Sequence, residues 1–258
     1  VRKVRKGSRV RNPYPPFITS TMQQDASRQL NFSAKKTMAI AQQLYEGIDV
    51  GNGGETGLIT YMRTDSIQLS AQATSEAESF IRNVYGEEYL PDQTPDYVSK
   101  AKRAQEAHEA IRPTSVSRTP KAIKSHLTRA QYRLYKLIWQ RFVASQMSAA
   151  VYDTLSVIVG ADGSAHNYVL RASGSKIRFP GFLKVYDRNN GKSRQAKKDL
   201  ESIPDQLQKG QVQDLVELHP EQHYTKPPPR YSEASLVSEL EENGIGRPST
   251  YAPIMGTL

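Results

Sequence analysis

The sequence contains no cysteine in its 258 residues. Disulfides and thiolate metal sites are therefore excluded, and the chain suits a reducing compartment. The five histidines are scattered, so a histidine-based zinc site has no support. No apolar run approaches the roughly 20 residues that cross a bilayer. No segment has the apolar centre of a secretory signal, so no membrane partner is expected. Acidic residues are in deficit, 26 against 35 Lys and Arg, which leaves a formal net charge of +9. Hydrophobic residues at 37% and charged residues at 24% place the chain among globular proteins. The length suggests about two domains. The chain starts at Val1 without a methionine and stops within an apparent helix at Met255–Leu258, so a piece of a longer protein is expected.

The excess positive charge is clustered. Arg2, Lys3, Arg5, Lys6, Arg9 and Arg11 occur in the first eleven residues with no acid among them. Lys184, Arg188, Lys192, Arg194, Lys197 and Lys198 form a second cluster, opposed only by Asp187. Such patches favour a polyanion, and nucleic acid is the usual one. A solvated surface with a floppy basic tail would have the same composition.

The stretch that carries chemistry is Gly57–Ser66, GLITYMRTDS. Leu58, Ile59 and Thr60 suit a short buried strand. Tyr61 stands at its mouth, two residues before Arg63. Alternate residues of a strand share a face, so Arg63 can offset charge near the Tyr61 phenol, and Asp65 can orient the arginine. A phenol oxygen becomes a nucleophile toward phosphate when cations offset the charge that develops. Alone, a Tyr-x-Arg is more often a core tyrosine followed by a solvated turn.

Before this stretch, Pro13, Pro15 and Pro16 predict extended chain, and Phe17-Ile18 a short strand. Thr19, Ser20 or Thr21 can cap a helix to about Leu30. Ser33 caps a second helix with Met38, Ala41, Leu44 and Tyr45 on its core face, ending at Gly47. The glycine-rich loop Asp49–Thr56 lacks the strand-to-helix context of a phosphate-binding loop. After it, Ser70 opens a helix to about Val84. In RAQEAHEAIRPTSV, the residues Gln105, Glu106, His108, Glu109 and Arg112 gather within ten positions. His108 can donate to a phosphate oxygen or move a proton to a leaving alkoxide, or simply be satisfied by a neighbouring Glu. Thr119–Met147 reads as two helices. Period-two patterns then predict strands at 151–159, 166–173, 177–186 and 212–219, with a hairpin turn at Gly160–Gly163. Lys226–Pro229 is a rigid linker. Ser232 starts a helix, Gly244 suits its end, and Pro248 or Ser249 begins another. Ser249, Thr250 and the free N–H groups of that helix start could hold a phosphate beside Arg247. An ordinary capped helix would look the same.

GLITYMRTDS, QEAHEAIRPT and RYSEASLVSELEENGIGRPSTY stand in that order, after PPFITSTMQQDASRQLNFSAKKTMAIAQQLYEG. Together they closely resemble the bacterial type IA DNA topoisomerases, over nearly all of residues 13–258. The resemblance implies that Tyr61 is the nucleophile, forming a 5′-phosphotyrosyl link to one DNA strand. Arg63 would contact the scissile phosphate, and His108 would join the active-site hydrogen-bond network. Thr64, Asp65, Arg112, Arg247, Ser249 and Thr250 would support DNA binding. The implied activity is relaxation of negative supercoils without ATP, on a single-stranded segment of DNA, by a cytoplasmic, nucleoid-associated monomer.

The implied fold is α+β, a segment of the family's four-domain toroid. A helical, helix-turn-helix-like nucleophile domain (21–147) is inserted in an antiparallel β-rich arch (1–20 and 148–226), followed by part of a second helical DNA-binding domain (227–258). The family's Mg²⁺ is held by a Toprim domain with an Asp-x-Asp-x-Glu signature, which these 258 residues lack. Mg²⁺ is therefore expected in the intact enzyme and no cofactor in this segment, which alone should be inactive. The alternatives are a non-catalytic module that binds single-stranded DNA and a structural clamp.

Overall fold

Ser33, Ser70 and Thr128 each precede a run of apolar residues at helical spacing, and each caps a helix. In the computed structural model, which describes residues 1–51, 54–95, 97, 108–187 and 207–257, the Ser33 and Ser70 hydroxyls accept from the N–H groups of Lys36 and Ala73. They open helices α2 (Ala34–Glu46) and α3 (Ala71–Tyr85). Helix α1 (Thr19–Leu30) has no side-chain cap of its own at Ile18. Thr21 instead accepts from the Ile18 N–H, and Asn31 ends the helix in the left-handed region. Thr128 and Gln131 form a reciprocal capping box at the start of α4 (Arg129–Ser145). The segment before it is not the expected helix. It is a series of turns with one 3-10 turn at Lys124–His126. Helices α5 (Glu233–Glu242) and α6 (Tyr251–Thr257) follow the tight turn through Gly244 and Gly246.

The described residues divide into two compact units. The helical unit comprises residues 12–148, 181–187 and 231–257. Helix α1 packs on α2, α4 and α5, and α2 packs on α4 and α6. Its core is aromatic-rich, with Phe17, Met22, Leu44, Leu58, Tyr135 and Phe142 fully buried. Two charged groups lie inside it, Asp25 and Arg141. Arg141, from α4, donates to the Pro15 carbonyl (2.6 Å) and to Asp25 (3.3 Å). Its guanidinium also lies over the rings of Tyr14, Phe17 and Tyr186, 4.7–5.3 Å from their centroids. Tyr186 donates to the same Asp25 carboxylate. Burial and the Asp25 charge push the Tyr186 phenol up, beyond the range in which it ionises.

The second unit holds residues 1–11, 149–180 and 207–230. Its sheet has the order β1–β4–β5, all antiparallel. Here β1 is Lys3–Arg11, β4 Ala150–Asp162 and β5 Asn167–Phe179. The separate two-residue ladder β2 (Ile48–Asp49) with β3 (Glu55–Thr56) belongs to the helical unit and closes the glycine-rich loop. The architecture is thus mixed helix and antiparallel sheet.

Several expectations are corrected. The basic N-terminus is no floppy tail, because β4 pairs with it over its whole length. The hairpin turn lies later than Gly160, where Gly163 N–H donates to the His166 carbonyl. Gly160 stays inside β4, paired with Val169, and the Arg2 side chain crosses where its Cβ would be. The strands expected at 166–173 and 177–186 are one strand to Phe179, because β4 supplies a ladder through the weakly β-prone Ser173–Ser175. Pro180 then ends it and residues 181–184 form a 3-10 turn. No strand forms at 212–219, where Val212, Leu215, Val216 and Leu218 are at least 69% exposed. Gln105, Glu106 and the basic residues from Arg188 to Lys198 lie outside the described residues.

Candidate active site

Gly57 is where the site begins. Its missing side chain lets the chain press against the end of α2: a Cβ there would sit 2.8 Å from the Tyr45 carbonyl. Leu58 N–H then donates to the Leu44 carbonyl at 2.7 Å, closing an open carbonyl of that helix. Leu58 and Ile59 are buried as expected, but they do not form a regular strand. Ile59 makes one isolated antiparallel bridge to Pro113, and Phe17 makes another to Ile111. Thr60 completes the junction. Its N–H donates to the Arg112 carbonyl, and its hydroxyl donates to the Ala110 carbonyl (2.6 Å) and accepts from Arg112 N–H (3.0 Å). The segment 110–114 thus lies across the Gly57–Ser66 stretch and carries His108 to it.

Beyond Thr60 the exposure alternates. Tyr61 and Arg63 point outward, while Met62, Thr64 and Ser66 are buried. The alternation is held from the start of α1. Thr19, fully buried, donates through its hydroxyl to the Met62 carbonyl (2.7 Å) and accepts from Thr64 N–H (2.9 Å). Its own N–H donates to the Thr64 carbonyl. The Thr64 hydroxyl in turn accepts from Ser66 N–H (3.0 Å). Thr64 therefore holds the turn from inside. Thr19→Val keeps the shape and strands two buried backbone groups. It should cost about 1–3 kcal/mol in a urea melt, whereas a solvent-facing Thr would cost almost nothing.

Tyr61 is 37% exposed and stacks edge-on against Tyr45, with centroids 5.4 Å apart. The His108 ring lies 5.6 Å away, tilted by 48°. Its Nδ1 is buried and has no hydrogen-bond partner among the described residues. Tyr45, expected in the core, is instead 40% exposed beside Tyr61. Its position at the end of the helical face, next to Gly47, was the available signal. The Arg63 guanidinium is engaged by no described residue and faces solvent. Arg112 is placed differently. Glu109 holds its guanidinium at 2.6–2.8 Å, and it also donates to the Pro113 carbonyl.

The third motif reaches the same neighbourhood. Ser20 on α1 donates to Glu241 at 2.6 Å, and Glu233 accepts from Ala34 N–H at 2.8 Å, so α5 is fixed to the starts of α1 and α2. Burial raises the Glu241 carboxyl above the ordinary carboxylate range. Tyr251 is buried, and that burial raises its phenol. The charges of Glu241 and Asp65 raise it further and Arg247 opposes them. Arg247, Ser249 and Thr250 are exposed, with Thr250 closing the turn by accepting from Arg247 N–H (2.8 Å). Among the described residues no three His, Asp or Glu side chains cluster to hold a metal ion. This donor set does not fit Mg²⁺.

An outward tyrosine, an arginine that no described residue engages and a histidine whose buried Nδ1 has no described partner meet at this stretch. A model of the DNA topoisomerase family matches residues 1–258, and the chain belongs to that family. Two curated relatives, each named DNA topoisomerase 1, come from the Temecula1 and 9a5c strains of Xylella fastidiosa. Each is 51% identical over 251 residues, covering 97% of this chain and 30% of the relative. The chain thus spans about a third of the length of these relatives. The solved structure of full-length topoisomerase I from Thermotoga maritima is similar with a TM-score of 0.75 and 36% identity, over all of this chain and 39% of that one. No helix among the described residues is long and apolar enough to cross a membrane.

Proposed function

We propose that the chain is the nucleophile-bearing part of a longer DNA topoisomerase of type IA. The carrying observation is Tyr61 exposed beside His108, whose buried Nδ1 lacks a partner, in a chain of the topoisomerase family. Tyr61 Oη attacks a backbone phosphorus of one strand. The phenol gives up its proton, the bond to the 3′-oxygen breaks, and that oxygen takes a proton. A 5′-phosphotyrosyl link and a 3′-hydroxyl result. Arg63 offsets charge on the phosphate oxygens, and His108 donates to one of them or moves a proton. Reversal reseals the strand. The bond energy is held in the ester, so ATP is not required.

Residues 21–147 serve in this reading as the helical nucleophile domain, 1–20 with 148–226 as the β-rich arch, and 227–258 as part of a second helical domain of the family's toroid. DNA, as a single-stranded segment, is the partner. The Mg²⁺ site belongs to acidic residues outside these 258. The intact protein should relax a negatively supercoiled plasmid with magnesium and no ATP, and the 258-residue chain alone should not. An agarose gel decides it: an ATP requirement in the intact protein, or relaxation by the chain alone, contradicts the reading.

A further inference from the structure

The strand β1 sorts the basic N-terminus into two faces. Cross-strand partners share a face. The register gives one face the rows Lys3–Ile158–Arg171, Arg5–Ser156–Ser173, Gly7–Thr154–Ser175 and Arg9–Tyr152–Ile177, ending at Arg11–Ala150. These rows contain no Asp or Glu. The nearby Asp153 falls on the other face, where Arg178 pairs with it at 3.5 Å. A groove of about 340 Å³ opens on the basic face, with Arg5 and Arg9 on one side and the hydroxyls of Thr154, Ser156, Ser173 and Ser175 across its floor. The Arg9 guanidinium is held over the Tyr152 ring at 4.9 Å, a stacked position that leaves its edge N–H groups available. Gly7 keeps the groove open between the two arginines: a Cβ there would meet the Thr154 hydroxyl at 3.1 Å.

We propose that this sheet face binds the sugar-phosphate backbone of a single DNA strand. Charge complementarity selects a polyanion, and guanidinium edges beside hydroxyl donors suit phosphate oxygens. The dimensions select one strand. The floor is two interstrand spacings wide, about 10 Å, and Arg5 and Arg9 stand about 13 Å apart along β1. The proposal rests on DNA being the partner, but not on Tyr61 being the nucleophile.

The test measures anisotropy of a labelled oligothymidylate against the 258-residue chain over a range of NaCl concentrations. Each phosphate contact to a single strand contributes about 0.7 to the slope of log affinity against log salt, so Arg5→Ala/Arg9→Ala should lower that slope by about 1.4. Lys176→Ala/Arg178→Ala removes the same charge from the opposite face and should lower it much less. Gly7→Val, a change strands tolerate, should weaken binding with no change of charge. An unchanged slope in the arginine variant, equal losses from both faces, or a hairpin duplex binding through Arg5 and Arg9 better than the single strand overturns the proposal. Covalent adduct formation by the intact protein is read separately. Adducts with an unchanged arginine slope condemn only this inference, and the reverse pattern condemns only the Tyr61 reading.

Discussion

Tyr61→Phe in the intact protein should abolish covalent protein–DNA adducts while leaving DNA binding in place. The phenylalanine keeps the ring contacts to Tyr45 and His108, at 5.4 and 5.6 Å, and removes only the phenol oxygen. Loss of an attacking group cannot be made up by neighbours that only position and polarise, so cleavage should fall by more than about 10⁴-fold. Binding should persist, because Arg63 and the basic sheet face are untouched. Denaturant trapping on end-labelled DNA reads the adduct, and a filter or anisotropy assay reads the binding. Loss of both together would point to a folding defect, and a circular dichroism melt separates that case. Adducts that persist in the Phe variant would remove Tyr61 from the chemistry.

The second large effect is on stability. Arg141→Met should destabilise the helical unit by about 3–5 kcal/mol in urea, because it leaves the Asp25 carboxylate buried without its principal cation. Asp25 and Arg141 are each at most 4% exposed, and the partner Tyr186 is equally enclosed. Arg28 also approaches Asp25, at 3.5 Å, but from the helix surface, where it is 40% exposed, so it offsets little. Asp25→Leu/Arg141→Met should cost less than the sum of the two single changes, since an apolar pair leaves no charge stranded. A single variant costing under about 1 kcal/mol would mean that water reaches the pair.

Local grammar in the sequence accounts for the helices. Ser33, Ser70, Thr128 and Ser232 are caps whose effect is confined to one turn, and all four helix starts were legible from them. The pairing of strands was not, because a ladder depends on what lies alongside. Val212, Leu215, Val216 and Leu218 have the composition of a strand and no partner, while the glycine and serines at 173–175 have the composition of a turn and are carried by β4. The same reason explains β1. A run of six basic residues reads as a solvated tail until the register with β4 divides it between two faces. At the site, Tyr61, Arg63 and His108 were legible as a group only through the likeness to a family, since His108 reaches Tyr61 by way of backbone contacts to Thr60 across about 50 positions of chain. Thr19 was legible as a residue type but not in its role. A buried threonine that holds a turn 43 positions away leaves no local signal.

The most direct test digests the denaturant-trapped complex with protease and nuclease and sequences the peptide that keeps a nucleotide. The account predicts one peptide, containing Gly57–Ser66, with the strand's 5′-phosphate esterified to the Tyr61 oxygen. A nucleotide on any other side chain, or a link through a 3′-phosphate, would contradict it.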